Sequence, residues 1–308
     1  MRRPANRFFT YSFLGADPNV SARAVAAVDL EDTCVYALNP TIRGAVKVAG
    51  GATVNLSCGI KVNSIDTAAL DQSSAGSCLS STLIKIHAPG WYDGPCVNAT
   101  EGIYTTVAVK DPMLLVDPPV DPNTLTCDHT AKIMANSGDH VVLDPGTYCN
   151  SIETVSTGQI TFNPGLYVLH GAALKVSASG SLQGDGVTFY ITPDASASDS
   201  INFQAGATVD LKAPTAGEAG MPGILFYQDR NAPTNLTHHF TAEANMNLEG
   251  TLYFPTSQVN FAGGSSLDAK AVMLIVDTLS FTGQSHVGEF EGSVIESNPS
   301  LITAILLE

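Results

Sequence analysis

Apolar and polar residues alternate in short runs that are interrupted by small-residue corners. In residues 201–211, for example, Ile, Phe, Val and Leu alternate with Asn, Gln, Thr and Asp on either side of Ala-Gly-Ala. Strict alternation predicts half-buried β-strands, because successive side chains on a strand point to opposite faces. The same pattern occurs in residues 46–56 and 174–182 and in segments that begin at Phe240, Val259 and Leu279.

These segments recur at a nearly constant interval. The starts at Phe240, Val259 and Leu279 follow one another at about 20 residues, and we interpret the interval from Ile201 to Phe240 as two such periods. A second family of strands keeps the same interval and consists of residues 186–191, 223–227, 250–254 and 271–276. A coil of this length cannot bury its apolar face alone and must stack on the next coil.

The two interleaved families predict an all-β fold. Its specific form is a right-handed parallel β-helix (β-solenoid) with about 20 residues per coil and a short N-terminal segment outside the repeat. The alternative, a jelly roll or sandwich of short strands, predicts alternation without a fixed period. In the solenoid register, Val259, Phe261, Leu279 and Phe281 should stack in one interior ladder.

Two proline-glycine corners agree with this interval. Residues 142–148 and 161–167 read Val-Leu-Asp-Pro-Gly-Thr-Tyr and Thr-Phe-Asn-Pro-Gly-Leu-Tyr, and they lie one period apart. Proline presets φ and glycine supplies the positive φ that a type II turn requires. We expect these corners to lie directly above one another.

Proline also marks a break in the repeat. Residues 111–126 are rich in proline and have no periodicity, which predicts a linker or an extended segment across the solenoid. We divide the chain into an N-terminal extension at 1–33, a disulfide-containing first solenoid part at 34–110, this linker, and a main β-solenoid at 127–308.

The extension has a basic start but a poor signal-peptide core, which favours a start codon placed downstream of the true one or an unusual signal.

Composition narrows the class of protein. Of the 308 residues, 44% are hydrophobic and only 14% are charged, against about 25% charged residues in typical soluble domains. Such a composition is typical of secreted β-solenoids and adhesins. The formal net charge of -15 repels phosphate backbones and anionic headgroups, which excludes nucleic acid as a partner.

Six cysteines lie in the first half of the chain, at Cys34, Cys58, Cys78, Cys96, Cys127 and Cys149. They form no CxxC or Cys/His zinc pattern, so disulfides in an oxidising compartment are favoured over buried free thiols. Positions that are one coil apart have Cα separations that a disulfide tolerates. Sequential pairs are each close to one coil apart, but so are Cys58 and Cys78, and other connectivities therefore stay open.

Few polar residues suggest a catalytic or metal-binding site. The neighbouring pairs that stand out are Asp229 and Arg230, Asp139 and His140, and His238 and His239. The first two pairs predict turns, and the histidines have no further His or Cys at metal-ligand spacing. Solenoid lyases and hydrolases carry clustered carboxylates, whereas the acidic residues of this chain are scattered. We predict no catalytic residue, no cofactor and no metal site.

Several ordered motifs resemble one known family. They include Asp-Pro-Gly-Thr-Tyr-Cys at 144–149 and Asn-Pro-Gly-Leu-Tyr-Val at 163–168, and the others are residues 33–40, 44–54, 58–64, 186–190 and 223–233. These motifs are similar to the β-solenoid part of TadG-like proteins of the tight-adherence (Flp) pilus system. The resemblance implies an envelope component without catalytic residues, anchored in the membrane only through an N-terminal part that this chain lacks.

We therefore predict a non-enzymatic structural or assembly component of a bacterial tight-adherence pilus, with a role in pilus biogenesis and surface adhesion. Its expected location is outside the cytoplasm, in the cell envelope or on the cell surface, and its expected partners are pilus-system proteins or the envelope surface. The alternatives are a β-helix carbohydrate-active enzyme (polysaccharide lyase or hydrolase) and a passive surface ligand-binding protein. An exposed cluster of three carboxylates on one sheet would favour the enzyme.

Overall fold

Parallel pairing of short strands defines the fold. The computed structural model describes residues 33–283, except 193, 195–198, 242–244, 264–265 and 269–272, together with a few short strands outside that range. These residues form a parallel β-solenoid of about 11 turns with about 22 residues per turn, so the predicted fold class is confirmed. Within these ranges, no helix has the length and apolarity needed to cross a membrane.

Each coil crosses three faces in turn, which are named A, B and C and are defined by the strands that form them. Face A consists of Thr33–Ala37, Gly59–Val62, Gly146–Tyr148, Gly165–Leu169, Val187–Ile191 and Ile224–Gln228. Face B consists of Val46–Val48, Leu70–Asp71, Tyr92–Asp93, Ile133–Ala135, Ile152–Thr154, Leu174–Val176, Ile201–Phe203 and Thr237–Phe240. Face C consists of Thr53–Asn55, His140–Leu143, Gln159–Phe162, Ser181–Gly184, Thr208–Lys212, Asn245–Glu249, Ser266–Asp268 and His286–Val287.

Four longer strands turn a corner and belong to two faces. Cys78–His87 and Val97–Thr106 run from face C to face A, and Thr251–Ala262 and Leu274–Thr282 run from face A to face B. The helical element among the described residues is the short 3-10 turn Pro122–Thr124, where the Oδ1 of Asp121 accepts from the backbone N–H of Asn123 at 2.9 Å.

The register between coils follows the alternation in the sequence. Val259 pairs with Leu279 and Phe261 pairs with Phe281, and these four side chains are at most 1% exposed. The predicted interior ladder is confirmed. The two phenylalanine rings stack with their centroids 5.5 Å apart, because parallel pairing places identical residues directly above one another.

One part of the predicted period is wrong. Asn202 pairs directly with His239, so a single coil, and not two, spans the interval from Ile201 to Phe240. The additional residues form loops at 213–223 and 229–236, between successive strands of that coil. Loops lengthen a coil without altering the strands that stack. The two loops therefore make this coil about as long as two ordinary coils.

The proline-glycine corners stack as predicted. The Nδ2 of Asn163 donates to the Oδ1 of Asp144 on the adjacent coil at 2.7 Å. Gly165 has a φ of 141°, and a Cβ at this position would lie 2.4 Å from the Cγ of Pro145. Glycine is therefore required here by the close approach of the proline ring as well as by the positive φ.

The stacking order of the coils differs from their order in the chain. The strand Leu274–Thr282 pairs in parallel with Thr33–Ala37 and Val46–Val48. At this junction, termed the seam, the backbone N–H of Leu279 donates to the carbonyl oxygen of Ala45 at 2.8 Å. The N-terminal coils therefore continue the stack from the last C-terminal coil.

Because of this order, residues 107–126 connect opposite ends of the stack, and they are termed the strap. The strap lies along the outer side of face A and contains turns at 112–115 and 122–124. Met113 of the strap is fully buried there, and it belongs to one apolar cluster with Val116, Val120 and Leu125 and with face A residues. The tyrosines and aliphatic side chains of face A that join this cluster are Val168, Tyr190, Ile224, Tyr227, Tyr253 and Ile275.

Three disulfides link consecutive pairs of cysteines. Cys34–Cys58, Cys78–Cys96 and Cys127–Cys149 have Cα separations of 5.7, 4.8 and 5.7 Å. Each joins residues that the coil places in neighbouring layers, and sequential pairing is therefore realised among the alternatives. All six cysteines are paired in this way.

A second compact unit consists of residues 1–30 and 302–308. It contains the antiparallel pair Arg3–Pro4 with Asn19–Val20 and the antiparallel pair Val25–Ala27 with Ile305–Leu307. Apart from these strands and Thr33, the predicted N-terminal extension at 1–33 lies outside the described residues, as do Ala271 and Val272 of the second strand family.

Candidate functional surfaces

The outer side of face A is a column of tyrosines that the strap covers. Tyr190, Tyr227 and Tyr253 are in register and fully buried. The hydroxyl of Tyr227 donates to the carbonyl oxygen of Val116 at 2.8 Å, and that of Tyr253 donates to the carboxylate of Asp111 at 2.6 Å. A buried tyrosine needs a partner for its hydroxyl, and the strap supplies two of them.

Arg230 fixes the strap through several groups at once. Its Nη2 donates to the carbonyl oxygen of Val116 at 3.0 Å and to that of Met113, and its Nε lies 3.4 Å from the carboxylate of Asp111. Its guanidinium also lies over the ring of Tyr227, 5.9 Å from the centroid. The planar, multi-donor guanidinium is suited to such an arrangement, so Arg230 is a structural anchor of the strap.

Asp229 caps the turn that follows the face A strand, as predicted. Its Oδ1 accepts from the backbone and side-chain amides of Asn231, each at 2.9 Å, and its Oδ2 accepts from the hydroxyl of Tyr190 at 2.7 Å. Burial raises the pKa of Tyr227 to about 12, and burial together with Asp229 raises the pKa of Tyr190 still further. These hydroxyls therefore remain protonated donors at neutral pH.

His238 and His239 lie on opposite sides of face B. His238 is fully buried, its Nδ1 accepts from the backbone N–H of Ile201 at 3.1 Å, and its ring lies 4.4 Å from that of Phe254. Burial lowers the pKa of His238 to about 3, so the ring is neutral. His239 occupies the alternate position, in register with Asn202. The adjacent histidines cannot converge on one ligand.

Asp139 and His140 belong to a turn and the start of a face C strand, as predicted. The Oδ2 of Asp139 accepts from the backbone N–H of Asn136 at 2.9 Å, which closes the turn. The Nε2 of His140 lies 2.9 Å from the Oγ1 of Thr161 on the next coil. Both side chains therefore serve contacts within and between coils.

Faces B and C carry rows of short polar side chains. On face B, Asn202, His239, Asn260 and Ser280 form the middle of a column that continues into Lys175 on one side and Lys47 on the other, and Ser280 is only 5% exposed. One column on face C consists of Gln183, Asp210 and Asn247. The Nδ2 of Asn247 donates to the Oδ1 of Asp210 at 2.8 Å, so neighbours within a column orient one another. Successive members lie about 4.8 Å apart, which creates a regular array of donors and acceptors.

A charged group interrupts face B on the N-terminal coils. Arg43 places its Nη2 3.0 Å from the carboxylate of Asp93 and its Nε 3.4 Å from that of Asp71. Burial opposes ionisation of Asp71, but hydrogen bonds from Ser73 and the charges of Arg43 and Lys47 hold its pKa below the ordinary value. This carboxylate is therefore an ionised partner of Arg43 and not a proton donor at neutral pH.

In the part of the chain that the structure describes, no three His, Cys, Asp or Glu side chains converge in a way that could hold a metal ion. The polar residues that were predicted to stand out are instead distributed over a strap anchor, two turns and the two sides of face B.

The role of Arg230 and the face that the strap covers were not predicted from the sequence. The available signal was the proline-rich segment itself, because an extended segment with apolar residues at Met113 and Val116 needs a surface to cover. The sequence gives no indication of which face is covered. That depends on the order in which the coils stack.

Comparisons with known proteins identify no relative. No protein family model matches the chain, no curated protein matches it, and no solved structure matches it. The class of protein is therefore defined by the fold alone, as a disulfide-linked parallel β-solenoid. Three disulfides indicate an oxidising, extracytoplasmic environment.

Proposed function

We propose that this protein is a non-enzymatic structural component of the bacterial cell surface that takes part in pilus biogenesis and adhesion in a tight-adherence system. The motifs that resemble TadG-like proteins support this proposal, and they coincide with structural features of the solenoid. Asp144 and Asn163 of those motifs stack in adjacent corners, and Asp229 and Arg230 organise the turn and the strap.

The observation that carries the proposal is the regular polar surface of faces B and C. Parts of the columns on these faces place polar side chains at intervals of about 4.8 Å. Such a surface offers many weak hydrogen-bonding positions along one direction. Repeated weak contacts give strong attachment through avidity without a deep site, and this suits an extended partner such as a pilus or the envelope surface.

The charged group on face B is not arranged like the acid and base of a glycosidase. A glycosidase needs one carboxyl group that gives up a proton and a second that remains ionised. Asp71 and Asp93 are instead bridged by the same guanidinium, that of Arg43, and the pKa of Asp71 is lowered. This arrangement serves as an ion pair between coils.

Gene deletion tests the proposed function. Removing the gene should abolish or strongly reduce surface pili and cell attachment, and the wild-type gene should restore both. Normal pili and normal attachment in the deletion strain would contradict the proposal. The proposal would also be abandoned if purified protein cleaved a polysaccharide and the His239→Ala form, with an unchanged melting temperature, did not.

A matched pair of variants tests whether face B makes the contact. The Asn202→Lys/Asn260→Lys variant places two long cations in the face B column. The control, Ser137→Lys/Thr157→Lys, adds the same charge at two exposed corner positions that contact each other at 2.9 Å. Complementation with the first should restore less attachment than complementation with the second. Equal attachment would assign the contact to another surface.

A further inference from the structure

The described solenoid leaves part of its core uncovered at each end of the stack. The distal end consists of Tyr92–Asp93 and Val97–Thr106, and the proximal end consists of Ile133–Ala135 and His140–Leu143. Inward-facing side chains that are only partly buried against the core lie mainly in these strands, and they are Tyr92, Val97, Ala99 and Ile103 at the distal end and Ile133 and Val141 at the proximal end. Their counterparts one coil deeper, Leu79 and Ile160, are at most 1% exposed.

Exposed apolar residues on the outer side of the strands are also concentrated at the two ends of the stack. Among the exposed large apolar side chains of the described residues, those on strands are Tyr104, Met134 and Val142, with 52%, 43% and 54% exposure. Tyr104 lies at the distal end, and the other two lie at the proximal end. A solenoid terminus with a polar outer layer would be capped, whereas these two ends present apolar edges.

The seam shows that coils of this protein stack without being consecutive in the chain. Across it, Leu274–Thr282 pairs in parallel with Thr33–Ala37 and Val46–Val48, with the backbone N–H of Leu38 donating to the oxygen of Val276 at 2.8 Å. Parallel backbone pairing between coil surfaces is therefore sufficient, and covalent continuity is not needed. The distal end and the proximal end present the same two kinds of coil surface that meet at the seam.

The strand direction at the two ends is also compatible with stacking of one copy on another. Every coil crosses faces A, B and C in the same order, from the proximal to the distal end, so a coil that continued the stack beyond Thr106 would present the proximal surface. The strap instead returns the chain to the proximal end, where the backbone N–H of Asp128 and that of His129 donate to the oxygen of Thr147, each at 3.0 Å. A second proximal end has the cross-section and strand direction that the distal end requires.

We propose that a second copy of this chain docks its proximal end on the distal end, so that the coils of successive copies form one continuous head-to-tail stack. Such a heterologous contact does not close on itself and generates an open filament. The register of the coils places Val97 against Val141 and Tyr92 against Ile133, inside the shared core. On the outer side it places Asn98 against Val142, so no like charges meet at that pair. The proposal depends on the fold and is independent of the proposed pilus function.

Engineered cysteines test this register. The Asn98→Cys/Val142→Cys variant puts two exposed face C positions one coil apart across the contact, within reach of a disulfide at about 4.8 Å spacing. Within one chain the same positions are roughly 40 Å apart, at about 4.8 Å per coil, so no bond forms inside a monomer. All native cysteines are paired, but the Asn98 side chain lies 3.8 Å from the Sγ of Cys96, so peptide mapping of each cross-linked band should identify the bond between the two introduced cysteines. The control is Asn98→Cys/Gln183→Cys, because Gln183 is exposed in the same column two coils deeper.

Under mild oxidation the first variant should give a ladder of dimers, trimers and longer species on a non-reducing gel, and the control should not. An equimolar mixture of the two single variants, Asn98→Cys and Val142→Cys, should stop at the dimer, because each chain then carries only one half of the bond. Wild-type protein should increase in weight-average mass with concentration in sedimentation equilibrium. A monomer at every concentration, together with no ladder, would overturn the proposal, as would equal cross-linking of the control.

Discussion

The coils at 33–106 and the coils at 127–287 reach the same cross-section with different cores. The C-terminal coils contain the largest fully buried side chains, all Phe or Tyr between Tyr148 and Phe281. The N-terminal coils have an interior of Val, Ile, Leu and Ala and contain two of the three disulfides. Aromatic side chains bury more area per residue, so the N-terminal coils have less burial per layer and more covalent linkage.

This difference indicates where each region obtains its stability. Stacked rings such as Phe189 and Phe226, with centroids 5.2 Å apart, connect successive C-terminal coils through the core. The N-terminal coils depend on the seam on one side and on Cys34–Cys58 and Cys78–Cys96 between layers. The seam and the bridges are therefore the positions at which the two regions should respond most differently.

The largest effect is expected at the seam. Leu279→Asp places an unpaired carboxylate at a position that is 1% exposed, which should cost about 3 to 5 kcal/mol of unfolding free energy. Thermal unfolding followed by circular dichroism should show a much lower melting temperature. Asn260→Asp, on the outer side of face B, is the control and should melt close to wild type. An unchanged melting temperature for Leu279→Asp would show that the register is wrong.

Removing one N-terminal bridge should have the next largest effect. Cys34→Ala/Cys58→Ala opens a loop closed over 24 residues and should lower the free energy of unfolding by about 3 kcal/mol. Hydrogen exchange followed by mass spectrometry should show faster exchange in residues 33–106 and little change around Phe226. The Cys127→Ala/Cys149→Ala variant should shift exchange at the proximal end instead. Uniform acceleration along the whole chain in both variants would contradict a division between the regions.

Loss of the strap anchor should have a smaller, local effect. Arg230→Met removes donors from buried carbonyl oxygens of Met113 and Val116, which should cost about 1 to 3 kcal/mol. Limited chymotrypsin digestion should then cut faster in the strap, next to the exposed Leu114 and Leu115. Arg43→Met, whose guanidinium is far more exposed, should leave the rate of cleavage unchanged. Equal rates of cleavage in the two variants would show that Arg230 does not anchor the strap.

The smallest effect is expected from a fall of one pH unit below 6.5. His238 has an ordinary pKa of 6.5 that burial lowers to about 3 in the folded protein, so below pH 6.5 the unfolded chain takes up a proton that the folded chain does not. Stability should therefore fall as the pH falls from about 6.5 towards 3, by about 1.4 kcal/mol per pH unit. Urea unfolding at several pH values should show a shallower slope for His238→Gln than for His239→Gln. Equal slopes would mean that His238 is protonated in the fold.

Much of the fold was predictable because its causes are local. Alternation in residues 201–211 reports which side chains face the core, and the Pro-Gly corner at 164–165 predicts the positive φ that Gly165 adopts, whereas Gly146 of the other corner does not have a positive φ. The interval from Ile201 to Phe240 was misinterpreted because a loop has no burial pattern of its own. Of the polar residues singled out, Asp229 was assigned correctly to a turn, whereas the role of Arg230 depends on a segment more than a hundred positions away.

The sequence by itself determined the type of coil, since side-chain alternation, turn chemistry and a repeated interval all act within one or two layers. Only the tertiary structure decided the order of the layers. Parallel coil edges present the same backbone donors and acceptors, so nothing in the local pattern of Val46–Val48 distinguishes pairing with Leu274–Thr282 from pairing with any other coil. That choice is made by the fit of whole coil surfaces, and it also directs the strap along face A and places Arg230 against Val116.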